Sequence, residues 1–192
     1  MNIGLFGGSF NPPHNGHLLL AETVREQFNL NRVVFIPSFV PPHKQHEHLA
    51  AGKDRLAMVQ RAIAGNKYFQ CSDIEIRKGG LSYTIQTVTE FEERYPHSQL
   101  FLIIGIDNLI DFKSWKSREE LLTKTTLIVC DRPGFHHEDV PRELLRDANF
   151  VTAPLIGISA SDIRLRIKTG KSVRYFIPDT VAEYIRDNQL YP

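Results

Sequence analysis

An α/β fold built on an open, doubly wound parallel sheet is what this sequence predicts, and three observations predict it. Strand-like and helix-like segments alternate along the 192 residues, the pattern of right-handed βαβ units. One segment, Leu100-Phe101-Leu102-Ile103-Ile104, is apolar throughout, as a central parallel strand covered on both faces must be. The residues with unusual chemistry mostly follow strands, and in such sheets ligands bind beyond the carboxyl ends of the strands.

Asn2-Ile3-Gly4-Leu5-Phe6 reads as a short buried strand, followed by the loop Gly7-Gly8-Ser9. Leu18 to Val24 continues as a helix. Arg32 to Pro37 is a β-branched, apolar strand ended by proline. Lys53 to Ala64 carries apolar residues at helical spacing. Phe69 to Ile76 reads as a mixed strand, because Asp73 and Glu75 alternate with Ile74 and Ile76. Thr84 to Tyr95 is helical, with Ile85, Val88, Thr89 and Phe91 on one side. After the apolar strand at 100–104, Ser117 to Leu122 is a short helix and Thr126 to Cys130 another buried strand. Val140 to Asp147 reads as a polar helix. Ser161 to Thr169 and Asp179 to Asn188 are the last two helices. The expectation is a Rossmann-like single domain over residues 1–192 that ends in helices. Pro37 to Ala51 and Asp131 to Pro141 are its longest irregular stretches, the length at which loops serve as substrate loops or lids.

Composition narrows the function classes. The chain is 42% hydrophobic and 23% charged, enough for a sizeable core in one domain. A net charge of +1 supplies no basic field of the kind that nucleic acid selects. No apolar stretch approaches the ~18 residues of a membrane span. The N-terminus enters a strand at once, without a basic stretch, so no signal peptide is visible and a cytoplasmic location is expected. The two cysteines, Cys71 and Cys130, end apolar runs and read as buried thiols, not as a disulfide framework. Of the eight histidines, His43, His46 and His48 share one polar loop and His136-His137 another. Solvated loop histidines are the better reading than zinc, since no cysteine or carboxylate falls at ligand spacing.

The first loop concentrates the chemistry. After Phe10, Asn11 and Pro12-Pro13 come His14-Asn15-Gly16-His17 and then the apolar helix. Histidines three apart at a helix start share a face, beside unpaired backbone N–H groups and the positive end of the helix dipole. That is a place for phosphate. The loop lacks the G-x-G-x-x-G spacing of dinucleotide enzymes, and no G-K-[ST] of a P-loop occurs. Near the C-terminus, Ser159 is a natural N-cap with Asp162 completing a capping-box-like pair, and Arg164 sits one turn into the helix. Alone this is ordinary capping. Beside the histidine block it becomes a second phosphate position, with a guanidinium that can fork onto oxygens.

His14-Asn15-Gly16-His17 and Ile158-Ser159-Ala160-Ser161-Asp162-Ile163-Arg164 resemble the HxGH and ISxTxxR signatures of the HxGH nucleotidyltransferase superfamily. Within it, the chain resembles the bacterial nicotinate-nucleotide adenylyltransferases. The motifs are Gly7-Gly8-Ser9-Phe10-Asn11-Pro12, Pro41-Pro42-His43-Lys44, Ser82-Tyr83-Thr84, Gly105-Ile106-Asp107 with Trp115, Arg132-Pro133-Gly134 and Tyr175-Phe176-Ile177-Pro178, in order over almost the whole chain. Departures are small: Ser161 keeps the hydroxyl of the pattern's threonine, and Ile106 and Asn108 flank Asp107 where smaller residues are usual.

The resemblance implies adenylyl transfer from ATP to nicotinate mononucleotide, giving deamido-NAD and pyrophosphate. It implies catalytic roles for His14, His17 and Arg164. ATP would be held by these three with Gly7, Gly8, Ser9, Phe10, Gly105, Asp107, Arg132, Ile158 and Ser159. The acceptor would meet Ser38, Phe39, Lys44, Tyr83, Thr84, Ile106, Asp107 and Trp115. Mg2+ would arrive bridged to the phosphates, with no dedicated carboxylate cage. A histidine beside phosphates would tend to hold its proton. Self-association as a homodimer is common for such domains. A sister enzyme acting on phosphopantetheine or on the amide mononucleotide is the alternative within the superfamily. A non-catalytic nucleotide-binding regulator is the alternative outside it, disfavoured by the intact histidine pair with Ser159 and Arg164.

Overall fold

The computed structural model describes residues 1–40, 49–154 and 156–192. Six parallel strands run β1 (Asn2–Gly8), β2 (Arg32–Pro37), β3 (Phe69–Cys71), β4 (Gln99–Gly105), β5 (Thr125–Cys130) and β6 (Ala148–Val151). They form one sheet in the order β3-β2-β1-β4-β5-β6. This is the order in which the winding reverses between the first and fourth strands, leaving a crevice at their carboxyl ends. The register sets Phe6 beside Ile103 across β1 and β4, and Gly8 beside Pro37 across β1 and β2.

Alternation along the strands sends side chains to two faces. Ile3, Leu5, Leu100, Leu102, Leu127 and Val129 belong to one buried cluster. It is covered by α4 (Thr84–Arg94), by α5 (Ile106–Ile110) with its 3-10 extension Phe112–Ser114, and by α6 (Arg118–Lys124). Phe6, Val33, Phe35, Phe101 and Ile103 belong to a second cluster, under α1 (Asn15–Gln27) and α2 (Gly52–Ala62). Each such buried side chain contributes about 1.5–3 kcal/mol. This double cover explains why β4 lacks a polar face. A third cluster joins Met58 of α2 to Ile163 of α7 (Ala160–Lys168) and to Val181 and Ile185 of α8 (Asp179–Asp187), docking the C-terminal helices. Burial pushes the Cys71 and Cys130 thiols up to about 12, so neither is a thiolate at neutral pH.

Four segments differ from the sequence reading. The strand expected over Phe69 to Ile76 stops at Cys71, and Ile74–Lys78 forms the short helix α3. Arg77 donates its backbone N–H to the Asp73 carbonyl at 2.8 Å and its side chain to the Asp73 carboxylate at 3.0 Å. Only Ile74 of this turn is buried, and over four residues a period of two is hard to tell from one helical turn. The helix expected over Val140 to Asp147 is a run of turns, with Leu144 N–H on the Pro141 carbonyl and Asp147 N–H on Leu144. The edge strand β6, missed by the sequence reading, follows at once and pairs Ala148 with Leu127 and Val151 with Cys130. The expected helix at Ser117 to Leu122 begins one residue later and runs to Lys124.

Candidate active site

The loop leaving β1 folds back under the first turn of α1. Phe10, at φ 44°, is only 2% exposed, and its ring packs edge-on to Phe6 and to His17. The side chain of Phe10 is therefore a floor for His17 and not part of the open cleft. His14 is the N-cap of α1, in extended conformation. Its backbone N–H donates to Nδ1 of His17 at 3.1 Å. An acceptor Nδ1 on a neutral ring leaves the proton on Nε2, so His17 presents an N–H donor at its far edge. The two imidazoles stack at a centroid distance of 3.6 Å.

Gly16 makes this stack fit. A Cβ there would lie 3.0 Å from His14 Nδ1 and 3.2 Å from its Cε1, so any side chain between the histidines would press the His14 ring aside by a few tenths of an ångström. The Asn15 N–H is already taken by the Phe176 carbonyl at 2.9 Å, and the Asn15 side chain donates to the Tyr175 carbonyl at 2.8 Å. The helix start is thus less open than the sequence suggested. With the N–H groups of His14 and Asn15 committed, the ring edges carry more of the burden of meeting a ligand.

Burial holds His14 down to about 4, assisted by the nearby Arg132 cation. His17 retains some accessible surface, yet its ring is enclosed by Phe6, Phe10 and His14. Burial again leads, followed by His14 and Arg132, and its pKa falls well below 6.5. Both rings are neutral at pH 7 in the ligand-free protein. His14 Nδ1 is buried without a hydrogen-bond partner, a state whose desolvation cost of about 1–3 kcal/mol a ligand would relieve.

Across the crevice, β4 ends at Gly105, and Asp107 stands in the first turn of α5. Its Oδ2 accepts from Arg132 Nη1, while its Oδ1 is buried and unpartnered. A Cβ on Gly105 would lie 2.3 Å from that Oδ1, so this glycine makes room for the carboxylate. Ile106 is fully buried in the first cluster, so its side chain faces the core and only its backbone can line the cleft.

At the start of α7, Ser159 caps as expected. It accepts the Asp162 N–H at 3.0 Å and donates to the Asp162 carboxylate at 2.7 Å. Its hydroxyl is thereby occupied. Arg164 reaches back to the β1 loop, donating to the Asn11 carbonyl at 2.9 Å and to Ser161 Oγ at 3.2 Å. This brings it to the same loop as His14, and a guanidinium has five donors. Ile158 lies 3.9 Å from where a Gly16 Cβ would stand, joining the two motifs directly. Gly7 is exposed and Gly8 partly so, with Gly8 pressed close to the Phe10 ring.

On the acceptor side, Ser38 is buried, with its N–H and hydroxyl both on the Gly8 carbonyl, and Phe39 is exposed. Tyr83 and Thr84 open α4. Lys116 Nζ stands 4.6 Å over the Tyr83 ring. Trp115 is half-buried, 5.2 Å from Phe112, with one side on the first cluster. Lys44 lies outside the described residues, as do His43, His46 and His48. In the other predicted loop, His137 Nε2 bonds Asp131 Oδ1 at 2.8 Å and stacks on Phe150, which fastens the loop to β6.

Sequence reasoning missed Arg55. It is 1% exposed and, among the described residues, donates to backbone carbonyls: Ala50 and Ser9 at 2.9 Å, Ser38 at 2.6 Å and Phe39 at 2.9 Å. It missed Tyr191 as well, whose hydroxyl shares Asn11 Oδ1 with the Ala50 N–H.

A family model described as cytidylyltransferase-like matches residues 5–166. A nicotinate-nucleotide adenylyltransferase of Bacillus subtilis is 42% identical over 189 residues, covering 98% of this chain and 97% of the relative. The chain belongs to the nicotinate-nucleotide adenylyltransferases of the cytidylyltransferase-like family. A Salinibacter ruber protein described as a probable member of the same group is 40% identical, covering 100% of this chain and 98% of that one. The fold is shared with the Plasmodium falciparum nicotinic acid mononucleotide adenylyltransferase solved in complex with NaAD. The TM-score is 0.82 at 18% identity, over 99% of this chain and 97% of that one. Family membership makes this chain a nucleotidyltransferase, an enzyme, and accounts for the full-length run of motifs. Among the described residues, no helix is long and apolar enough to cross a membrane, and no group of three or more His, Cys, Asp or Glu side chains could hold a metal ion.

Proposed function

We propose that this protein, acting as one domain over residues 1–192, transfers the adenylyl group of ATP to nicotinate mononucleotide, releasing pyrophosphate and forming deamido-NAD. The observation that carries this reading is the His14–His17 stack, with the His14 Nδ1 buried and unpartnered and the His17 Nδ1 accepting, which leaves its Nε2–H as a donor. Family relatives named for this reaction supply the substrates.

In the reaction, a 5′-phosphate oxygen of the mononucleotide attacks the α-phosphorus of ATP in line, forming the new P–O bond as the bond to the pyrophosphate oxygen breaks. Such a transfer depends on positioning and on neutralising charge, and needs no covalent enzyme intermediate. His17 donates its Nε2–H to an α-phosphate oxygen, where the dipole of α1 adds to the stabilisation. Neutral imidazoles suit this role, because a low-lying pKa does not prevent hydrogen-bond donation. His14 Nδ1 gains its missing partner, and the incoming negative charge raises the basicity of both rings. Arg164, braced on Asn11 and Ser161, turns its remaining donors to the departing phosphates. Ser159 supports it by capping α7, and would meet a phosphate itself only by giving up Asp162.

Asp107 Oδ1, buried and unpartnered beside Arg132, suits a ribose hydroxyl. Gly7, Gly8 and Ser9 bring backbone close to the nucleotide. On the acceptor side, Trp115 offers its free face to the nicotinate ring, with Tyr83, Thr84, Ser38 and Phe39 around it; Lys44 remains a partner for the acceptor phosphate. A Mg2+ ion carried by the ATP phosphates would neutralise part of their charge, and Asp107 is a carboxylate at the crevice that could face it. A cytoplasmic location and function as a monomer or homodimer are compatible with this chemistry.

Pyrophosphate release is the test, with ATP and Mg2+ and either nicotinate mononucleotide, its amide or phosphopantetheine. Release with the acid well above the other two is expected. Release with phosphopantetheine alone would overturn the acceptor, and release with none would overturn the enzyme reading.

A further inference from the structure

Arg55 is the largest fully buried side chain among the described residues, and none of the chemistry above uses it. Its hydrogen bonds go to four carbonyls on three separate stretches of backbone. Ser9 lies in the loop after β1, on the ATP side. Ser38 and Phe39 lie in the loop after β2, on the acceptor side. Ala50 lies just before α2. A planar guanidinium presents donors in a rigid fork, so it fixes the relative placement of the loops that it bridges. Among the described residues its hydrogen bonds go to peptide oxygens, with no carboxylate paired to it in a salt bridge.

The linkage continues in both directions. The Phe39 peptide is held at both ends, its carbonyl by Arg55 and its N–H by Ser82 Oγ at 2.9 Å. The half-buried Glu75 carboxylate close to Ser82 accepts from Thr87 at 2.8 Å. Ser82 N–H donates to the Val40 carbonyl at 3.0 Å. This fastens the segment that leads into Tyr83 and Thr84. On the other side, Asn11 Oδ1 takes the Ala50 N–H at 3.0 Å, and the Asn11 carbonyl takes Arg164 at 2.9 Å. A continuous path of hydrogen bonds thus runs from Arg164 through Asn11, Ala50 and Arg55 to Phe39 and Ser82.

Resting on the acceptor reading above, we infer that Arg55 is a positioning residue that locks the ATP loop to the acceptor loop, so that ATP and the mononucleotide each tighten the binding of the other. Ordering one loop restricts the other through the shared guanidinium, so the second ligand meets a loop already fixed. The coupling is reciprocal by linkage. Lysine cannot reproduce it, because one ammonium has three donors and no fork with which to span three stretches of backbone.

The experiment measures binding of α,β-methylene-ATP with and without saturating nicotinate mononucleotide, in the wild type, Arg55→Lys and Ser82→Ala. Turnover of the same proteins is followed in parallel. The wild type should bind the analogue about fivefold or more tighter with the mononucleotide present, the lower range for coupled sites. Both variants should lower that ratio toward one and raise KM for both substrates. A purely architectural role would instead reduce the active fraction, lowering kcat with KM and the ratio intact, and that result overturns the inference. A wild-type ratio near one overturns it equally. If Arg55→Lys does not fold by circular dichroism, Ser82→Ala decides, since it removes the acceptor of the Phe39 N–H without emptying the Arg55 site. Absence of wild-type turnover with nicotinate mononucleotide refutes the acceptor reading and the inference together; turnover with unchanged coupling in the folded variants refutes the inference alone.

Discussion

Lowering the pH on the ligand-free protein should destabilise it through His14 before any carboxylate with an ordinary pKa is protonated. His14 titrates near 6.5 when exposed and at about 4 in the folded protein. Between those values the unfolded chain binds the proton and the folded protein does not, so stability is complete above 6.5 and falls as the pH drops toward 4. The full gap corresponds to about 3 kcal/mol, and by pH 5 about 2 kcal/mol is already lost. His17 adds a loss of the same sign, because burial lowers it too. Glu75, raised by burial, works in the opposite direction, so a bare pH profile mixes the groups. Comparison with His14→Asn separates them, since every other group is common to both proteins. Urea unfolding at pH 7 and pH 5 should show the wild type losing about 2 kcal/mol more than the variant over that interval. Equal losses, or an imidazole proton resonance of His14 titrating near 6.5, would refute the reasoning.

Three further outcomes follow from the same geometry. Arg132→Ala removes a cation that depresses both histidines. By NMR the His14 midpoint should rise from about 4 yet stay below 6.5, because burial is the larger cause, and an unmoved midpoint would contradict this. Gly16→Ala drives a methyl within 3.0 Å of the His14 ring. It should lower kcat/KM by about tenfold or more with little change in melting temperature, as alanine favours the helix by about 1 kcal/mol; wild-type kinetics would count against the packing argument. Gly105→Ala, with its methyl 2.3 Å from Asp107 Oδ1, should expel that carboxylate and raise KM for ATP about tenfold, while secondary structure by circular dichroism stays unchanged. An unaltered KM would remove Asp107 from the ATP site.

Much of the fold and of the phosphate end of the site could be read from residue order because both rest on local patterns. Buried parallel strands are written as runs such as Leu100 to Ile104, and a capped helix as Ser159 followed by Asp162. The readings that went astray were short or at an edge. Four residues from Asp73 to Ile76 cannot separate a strand period from a helical turn. The edge strand Ala148–Val151 carries Asn149, whose side chain reaches the Leu127 carbonyl at 3.1 Å, so it lacks the apolar run of a central strand. Phe10 and Ile106 went to the core because a motif names positions and not the directions of side chains.

Arg55 was missed for a different reason, and the sequence did carry a signal for it. In α2 the buried positions are Arg55, Met58 and Val59, the spacing of one helical face. Arg55 therefore occupies a core position in a helix whose pattern is otherwise ordinary. A full cation at such a position costs several kcal/mol unless the surroundings supply acceptors. Backbone carbonyls left over where strands end are the acceptors nearest to hand in a parallel sheet, and these same loops carry the ligand contacts. A charged residue at a core-facing helical position next to the carboxyl ends of parallel strands therefore points to a loop organiser, because only irregular backbone there has carbonyls to spare. Hydrophobic replacement should therefore be worse than removal of charge alone would suggest. Arg55→Met leaves the carbonyls of Ser9, Ser38, Phe39 and Ala50 without their donor, each at a cost of about 1–3 kcal/mol where water cannot enter. Its loss in urea unfolding should therefore exceed that of Arg55→Lys, which retains donors at the site. Equal stability of the two variants would show that water already serves those carbonyls and that the guanidinium is not what holds the loops together.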